Sequence, residues 1–458
     1  MTTPTTDSLG QLRRLIWIYF WLLIFEGALR KWLIPSLSGP LLIARDPVVI
    51  AIYAMAVTRG VFPGSMLVGW TFGLAAMCFA TSFAGIGNLN VTLFGLRANF
   101  MHLPLILIIP RVFRQEDVRR MGLALLVVAP LMGVLCVKQF QAGADSRWNV
   151  GAGGEIGAQL YAAQGKVRAS GTFSFATGLA TYLSLCAAFL LNDLLGRQVY
   201  PRWVTLSAFF SVVLSLAVSG SRTAVICVTV VCAMVLYMGF RRHEKFGAAL
   251  RPILLTVVVV AILIRITPLF RQGIAVHMDR FASGGGLKEG IGMRTANEFF
   301  AAWDRLSTAP LLGVGVGVGT SAGAALLHGQ REFSLGEGEW ERVIMECGPI
   351  LGVGYILLRL GYLTAIVRTA LRGYRHGHAL PLLLLGVTGI DFVNGQFGQS
   401  TALGFAVLTG GLALAAARDE EAPTEAWEAL PQTSEPLVFG RSPYARRLHG
   451  IKENGNSQ

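Results

Sequence analysis

The feature that most constrains this chain is a series of apolar segments separated by polar connections. A membrane-spanning helix needs about 20 predominantly apolar residues, and these segments approach or reach that length. The predicted spans are 13–34, 40–58, 62–82, 90–110, 119–140, 172–192, 202–219, 221–240, 250–268, 342–368, 379–394 and 398–417. The fold class predicted from them is an all-α polytopic integral membrane protein with about 12 transmembrane helices.

The composition agrees with a membrane protein and argues against a soluble one. Hydrophobic residues make up 53% of the 458 residues and charged residues 14%, whereas soluble domains have about 25% charged residues. The formal net charge of +13 could indicate a nucleic-acid partner. The basic residues, however, lie at the ends of apolar segments, where they act as topology signals. We therefore expect the lipid bilayer, and no nucleic acid, as a partner.

The positions of arginine and lysine predict the orientation of the chain, because cytoplasmic loops of membrane proteins carry an excess of both. Every second connection is basic, and so is the start of the first span. The residues concerned are Arg13, Arg14, Arg111, Arg114, Arg119, Arg120, Arg197, Arg202, Arg241, Arg242, Lys245, Arg368, Arg372 and Arg375. Both termini are therefore predicted to be cytoplasmic.

This topology predicts one membrane domain and a tail. Residues 1–417 form the twelve-span domain, with two long loops, 141–171 and 269–341, on the outer side. Residues 418–458 contain proline and glutamate and then basic residues, without apolar periodicity. The tail is therefore predicted to be disordered and cytoplasmic.

The loop 269–341 is too long for a simple connection, so it is either a functional element or a disordered insertion, and we favour the first. Apolar residues recur in it at helical spacing, opposite charged and polar ones; they are Met293, Ala296, Phe299, Phe300, Trp303 and Leu306. This pattern predicts an amphipathic helix that lies on the membrane surface or caps the bundle, and Pro310 ends it.

Three arginines lie beside span ends on the predicted outer side: Arg168, Arg222 and Arg294. Guanidinium groups that converge would bind a diphosphate, because arginine offers fixed bidentate donors and keeps its charge. The alternative is that each one binds a lipid headgroup separately. The residues alone favour neither interpretation.

Acidic residues precede span ten. Glu337, Glu339 and Glu341 could supply a general base for a hydroxyl nucleophile. They could instead favour the helix dipole at the start of the span, a role that suits Glu339 and Glu341 well. His277 is a further candidate in the same loop.

Neither a cofactor nor a metal is predicted. The six cysteines form no CxxC pair and have no histidine at ligand spacing, so neither a metal site nor a disulfide framework is indicated. The alternating glycines of residues 313–319 lack the strand-turn-helix context and the lysine of a nucleotide loop. We interpret them as a close-packed turn that returns the chain to the membrane.

Charged residues also occur at predicted membrane depth, where each costs about 2.5–3.5 kcal/mol and needs a partner, water or a function. They are Glu26, Arg30, Lys31, Arg45, Asp46, Arg97, His102, Lys138, Arg265, Arg359 and Asp391. Arg45 and Asp46 could pair locally or with another helix, and Arg265 and Arg359 are expected to snorkel towards an interface.

Read together, several short segments resemble the superfamily of O-antigen ligases and polysaccharide polymerases. The matching residues are 168–173 (Arg-Ala-Ser-Gly-Thr-Phe), 219–223 (Ser-Gly-Ser-Arg-Thr), Arg294 with Trp303, 310–317 (Pro-Leu-Leu-Gly-Val-Gly-Val-Gly) and 346–352 (Glu-Cys-Gly-Pro-Ile-Leu-Gly). Residues 25–32 and 45–47 look like those of the exopolysaccharide polymerase-type members. The motifs cover about residues 165–360, and their order and spacing make the combination specific.

The resemblance implies a bacterial inner-membrane enzyme. Its donor would be an undecaprenyl-diphosphate-linked glycan, used on the periplasmic face without a nucleotide sugar, metal or other cofactor. The family's diphosphate-binding arginines correspond to Arg168, Arg222 and Arg294. Where the family usually has His-Asn, eleven residues before Gly348, this chain has Glu337 and Gly338.

The expected function is therefore a metal-independent, inverting glycosyl transfer that polymerises exopolysaccharide or O-antigen repeats. Glu337, Arg294 and Arg222 are the predicted catalytic residues; Glu339, Glu341 and His277 are secondary candidates. Ligation of the glycan to a lipid or other anchor is the alternative, and a glycolipid flippase is the alternative of another class. Possible protein partners are a chain-length regulator and export machinery.

Overall fold

The computed structural model describes residues 6–196, 198–241, 246–283, 291–328, 335 and 338–418, and the following statements refer to these residues. They are predominantly helical; their one β-type pairing is an antiparallel bridge between Tyr161 and Val167. The first eight α-helices are α1 (Thr6–Ala28), α2 (Ser38–Leu41), α3 (Asp46–Thr58), α4 (Met66–Ser82), α5 (Leu89–Leu96), α6 (Leu105–Val112), α7 (Gln115–Gln141) and α8 (Ala176–Leu195). The others are α9 (Arg202–Val218), α10 (Arg222–Arg241), α11 (Phe246–Ile266), α12 (Pro268–Ser283), α13 (Ile291–Thr308), α14 (Ser321–His328), α15 (Glu339–Arg375), α16 (Leu380–Asn394) and α17 (Ser400–Ala416).

Several of these helices are long and apolar enough to cross a membrane. Five meet both conditions: Pro35–Thr58, Gln115–Gln141, Ala176–Leu195, Arg222–Arg241 and Glu339–Arg375. Two bent pairs raise the number to seven if each pair is one span: Leu89–Met101 with Leu105–Val112, bent by 42°, and Leu250–Ile266 with Pro268–Ser283, bent by 110°. The all-helical fold class is thus confirmed for the described residues, and the count of twelve crossings stays a prediction.

Helix α17 lies at the centre of the bundle. Its sequence, from Ser400 to Ala416, has no charged residue, and nearly all its side chains are buried. A helix that is apolar on every side must be surrounded by protein or lipid. Here it packs against α6, α8 and α16, so the core of the protein surrounds a helix without a polar face.

Two π-helical turns and a kink interrupt the regular helices. The turns are Leu29–Leu33, after α1, and Arg97–Met101, after α5. The kink lies in α15, where Gly348 has φ of 78° and Pro349 follows. Short π-helical turns frequently occur at functional sites, and both of these carry buried basic residues.

The long loop of the prediction contains three helices, α12, α13 and α14. The amphipathic helix is confirmed as α13, which ends at Thr308, shortly before Pro310. Its aromatic residues Phe299, Phe300 and Trp303 are 61%, 62% and 65% exposed. This aromatic face therefore points away from the bundle, as a helix on a membrane surface requires.

The bundle has two distinguishable ends. Helix α7 has 27 residues, which corresponds to a length of about 40 Å. Gln139, close to its carboxyl end, contacts residues 148 and 170–171. We call this end the polar end and the one at Gln115 the opposite end. The sequence predicts the polar end to be periplasmic.

Candidate functional site at the polar end

The first segment of the site, residues 168–173, is fixed from two sides. The Lys31 ammonium donates to Ser170 Oγ at 2.8 Å, to the Gly171 carbonyl at 3.0 Å and to the Phe173 carbonyl at 2.9 Å. The Gln139 side-chain oxygen accepts from the Ser170 and Gly171 amides at 3.1 and 2.8 Å. Because both side chains are about 1% exposed, this loop is held by buried polar contacts.

The segments that carry Arg168 and Arg222 touch each other. The Ala169 amide donates to the Ser219 carbonyl at 3.2 Å. Gly220 has φ of 59°, which favours glycine, and a Cβ there would meet Ala162 at 2.7 Å. The Arg168 guanidinium donates through Nε to the Tyr161 carbonyl at 3.0 Å. Two of the three predicted diphosphate-binding arginines thus belong to adjoining loops.

The glycine-rich segment packs on the kink of α15. The Val314 and Gly315 amides donate to the carbonyls of Met345 and Glu346, each at 3.0 Å. A Cβ at Gly313 would collide with the Glu346 carbonyl, and one at Gly348 with the Leu311 carbonyl. The predicted close-packed turn is confirmed, and the glycines are needed because two backbone segments lie in direct contact.

A buried ion network begins at the first turn of α15. Arg342 pairs with Glu339 at 2.9 Å and with Glu346 at 2.6 Å, and Arg359 pairs with Glu339 at 3.1 Å. The four side chains are at most 4% exposed. Glu346 Oε1 also accepts from the Gly319 amide at 2.8 Å. The network therefore fixes the glycine-rich segment to α15.

The contacts of the Arg359 side chain differ from the prediction. It lies over the Phe397 ring at 3.7 Å from the centroid, and it donates to the carbonyls of Asp391 and Gly395. The expectation that it snorkels to an interface is therefore wrong, since the buried carboxylate of Glu339 provides a partner inside the bundle.

A second buried network joins α1, α3 and the π-helical turn after α5. Arg45 pairs with Glu26 at 3.0 Å, and Asp46 pairs with Arg97 and, at 3.2 Å, with His102. Arg45 and Asp46 were expected to pair either locally or with another helix, and the structure shows partners on other segments. This arrangement satisfies charges that would otherwise be costly at membrane depth.

The connection between α16 and α17, residues 395–399, together with Ser400, links these parts. The Phe397 amide donates to Glu339 Oε1 at 3.0 Å, and Arg97 Nη1 donates to Ser400 Oγ at 3.1 Å. Thr177, in the first turn of α8, donates to the Gln399 side chain at 3.0 Å. This short connection therefore contacts both ion networks and the start of α8, which follows the Arg168 segment in the chain.

The predicted acids differ in what they contact. Glu339 Oε1 accepts from Arg342, Arg359 and the Phe397 amide, and its Oε2 from Arg342. Glu341 Oε1 accepts from Arg305 Nε at 2.6 Å. Glu337 lies outside the described residues, and for Arg294 only the position of its backbone in α13 is described.

His277 is buried against α9. One ring nitrogen, Nε2, contacts the Leu216 carbonyl at 3.0 Å, and Nδ1 has no hydrogen-bond partner among the described residues. Burial lowers the pKa of His277 below its usual value. Its position on α12 places it near Ser219 and Gly220 rather than near α15.

Sequence reasoning missed Gln139 and Arg342 as parts of the site, and it named Glu346 only within the segment 346–352, without a role. A signal was present for two of them, because Glu339, Arg342 and Glu346 recur at spacings of three and four residues, which places them on one helix face. Gln139 gave no signal, since its partners are 31 and 32 residues away in the chain. The described residues contain no group of three or more metal-ligating side chains.

The arrangement offers cations on loops that backbone and buried polar contacts hold in place. Guanidinium groups on rigid loops can bind an anionic substrate and stabilise a leaving group. No protein-family model matches the chain, and a search of curated proteins finds no match either. Only the residues and their positions therefore bear on the function of the protein.

Proposed function

We propose that the protein transfers a glycan from an undecaprenyl-diphosphate carrier to a glycan acceptor at the periplasmic face of the bacterial inner membrane, and so polymerises exopolysaccharide or O-antigen repeats. The reaction uses no metal and no other cofactor. The fold agrees with this proposal at the level of an all-helical protein with several apolar helices.

One observation supports the proposal most. Four of the short segments behind the family resemblance form two contacting pairs, although they are scattered along the chain. Residues 168–173 meet 219–222 through the Ala169 amide and the Ser219 carbonyl, and 310–317 meet 346–352 through backbone contacts at Glu346. Motifs that act on one substrate must be neighbours in space, and contact within each pair supports the proposal.

The proposed chemistry assigns each charged group one role. Arg168, Arg222 and Arg294 bind the diphosphate and stabilise the negative charge that develops on it as it leaves. The acceptor hydroxyl attacks the anomeric carbon, the bond between that carbon and the diphosphate oxygen breaks, and undecaprenyl diphosphate departs. The hydroxyl proton passes to the Glu337 carboxylate, and the configuration at the anomeric carbon inverts.

Glu337 remains the preferred base because the neighbouring acids are engaged. Proton transfer to Glu339 would weaken contacts to two buried guanidinium groups, and Glu341 is paired with Arg305. Glu337 lies two residues before Glu339, which starts α15. In the sequence it occupies the position where the resembling family has histidine.

The test uses purified protein in liposomes that contain a short lipid-linked oligosaccharide. We expect the wild type to lengthen the glycan, and Arg222→Ala to lose at least about 100-fold in rate, the effect typical of removing one donor to a developing anion. Arg265→Ala is the matched control, because Arg265 is exposed near the end of α11. Polymer of wild-type length and rate from Arg222→Ala would overturn the proposal.

The same assay separates the alternatives. Transfer of the intact glycan to a lipid or other anchor, without elongation, would identify a ligase. Movement of the lipid-linked glycan across the membrane without a new glycosidic bond would identify a flippase. In cells, deletion of a co-expressed chain-length regulator or export component should change the length of the glycan chain. Such a change would identify these partners.

A further inference from the structure

A cavity of about 390 Å³ lies at the opposite end of the bundle, far from the proposed catalytic site. The ends of α7, α8, α10, α15, α16 and α17 surround it. Its volume falls within the range of about 300–1,000 Å³ that is common for small-molecule sites. Gln115 lies at its rim, at the other end of α7 from Gln139, so the two sites do not overlap.

The cavity wall carries one permanent charge, the positive charge of Arg119. The lining residues include Arg119 and His378 and contain no aspartate or glutamate. Arg119 has no ion-pair partner among the described residues, whereas the adjacent Arg120 pairs with Glu116. A cation without a carboxylate partner at the mouth of a cavity favours an anionic ligand.

Two acids on α7 and α8 at this end of the bundle have other partners. Asp193 accepts from the Val199 amide at 2.6 Å, the Tyr200 amide at 3.2 Å and the Thr205 hydroxyl at 2.8 Å. Asp117 contacts Arg13 at 3.3 Å. These contacts stabilise both carboxylates where they are, so neither is available to neutralise Arg119.

The rest of the cavity wall is apolar, and an inorganic ion alone would make no favourable contact with it. It is formed by Val118, Leu195, Val199, Val235, Met238 and Leu380. Val235 and Met238 are buried, whereas Val199 is 44% exposed, so the apolar wall extends from the interior to the mouth. A ligand that fits both parts carries an anionic group and an apolar portion.

We propose that this cavity binds a phosphate-bearing amphiphile, with the phosphate at Arg119 and His378 and the apolar portion against Leu195 and Val199. The phosphate could belong to a membrane lipid headgroup or to a soluble phosphorylated compound, since both present the same oxygen acceptors. The proposal does not depend on the function of the polar end. The sequence predicts this end to be cytoplasmic, so the site would be open to ligands of the cytoplasm or the inner leaflet.

The experiment is isothermal titration of the full chain in detergent with dihexanoyl phosphatidic acid, dihexanoyl phosphatidylcholine and glycerol 3-phosphate. We expect saturable binding of phosphatidic acid and at least about tenfold weaker binding to Arg119→Ala, because a hydrogen bond to a charged group is lost. Arg120→Ala is the control, since that arginine is paired with Glu116. Val199→Trp, at an exposed lining position, should block binding by filling the mouth.

Each outcome decides the question. Binding of phosphatidic acid alone supports a lipid, and binding of glycerol 3-phosphate as well supports a soluble source of the same phosphate chemistry. Equal affinity of Arg119→Ala and Arg120→Ala, equal binding of phosphatidylcholine and phosphatidic acid, or no saturable binding of any probe overturns the proposal.

Discussion

Replacement of Glu339 by glutamine tests whether this acid is part of the framework or of the chemistry. The substitution keeps the size of the side chain and removes its negative charge. In the wild type that charge lies between Arg342, at 2.9 Å, and Arg359, at 3.1 Å, and it also accepts the Phe397 amide at 3.0 Å. Glutamine leaves the buried Arg359 without its carboxylate partner, whereas Arg342 keeps Glu346.

The magnitude follows from burial. Removing one partner of a buried ion pair typically costs about 3–5 kcal/mol, because the other charge stays uncompensated. Glu341→Gln is the matched control two residues away. Glu341 contacts one arginine, Arg305, whose side chain is 43% exposed, and such a pair contributes about 0.2–1 kcal/mol. The two variants should therefore differ by at least about 2 kcal/mol, or about thirtyfold in the equilibrium between folded and unfolded protein.

The assay is the fraction of monodisperse protein that remains after heating in detergent over a series of temperatures. Glu339→Gln should lose its folded form at a clearly lower temperature than Glu341→Gln, and Glu341→Gln should resemble the wild type. Equal midpoints for both variants would refute the reasoning. Loss of transfer activity by Glu339→Gln at wild-type stability would instead mean that Glu339 acts on the substrate.

Three further predictions concern the loops and the base. Lys31→Met should lower the transfer rate at least about tenfold, because three hydrogen bonds to a loop of the proposed diphosphate site are lost. Lys138→Met, at an exposed lysine, is its control. Equal transfer rates for the two variants would contradict the role of Lys31 in holding this loop. Gly348→Ala should destabilise the protein by about 1–3 kcal/mol, since φ at Gly348 is 78° and the new Cβ meets a carbonyl. Gly69→Ala should not destabilise it, because a Cβ at that helical position meets no other atom. The thermal unfolding midpoints of the two variants measure the difference. Glu337→Gln should abolish transfer and Glu337→His should retain part of it, as measured in liposomes; wild-type activity of the glutamine variant would remove Glu337 as the base.

Much of the helical framework could be predicted from the sequence, because the length and apolarity of a segment are local properties. Each predicted span falls on one helix or on a broken pair of helices. The break at Arg97–Met101 was not predicted. Nothing local in the sequence marks it, since its buried Arg97 is stable there through Asp46, a residue 51 positions away.

The candidate site could be predicted only in part, for the same reason. Arg168 and Arg222 were identified by residue type and by resemblance, but their contact depends on backbone hydrogen bonds between distant loops. The pairing of Glu339 with Arg359 lies within one helix and still escaped prediction, because the two are 20 residues apart. Spacings of three and four residues can be read from a sequence, whereas contacts brought about by the packing of whole helices cannot.

The buried ion networks also explain how such a site can be held in place at all. Between helices surrounded by lipid, apolar side chains give little preference for one register, since lipid tails are as apolar as leucine. Ion pairs and charged hydrogen bonds between segments do give such a preference, because any shift leaves a buried charge unpaired. At the polar end these contacts connect α1, α3 and the starts of α15 and α17. The helices are therefore fixed relative to one another at the end where the arginine-bearing loops emerge. The ion pairs offset the cost of burying these charges at the end of the bundle where the proposed site requires a defined geometry.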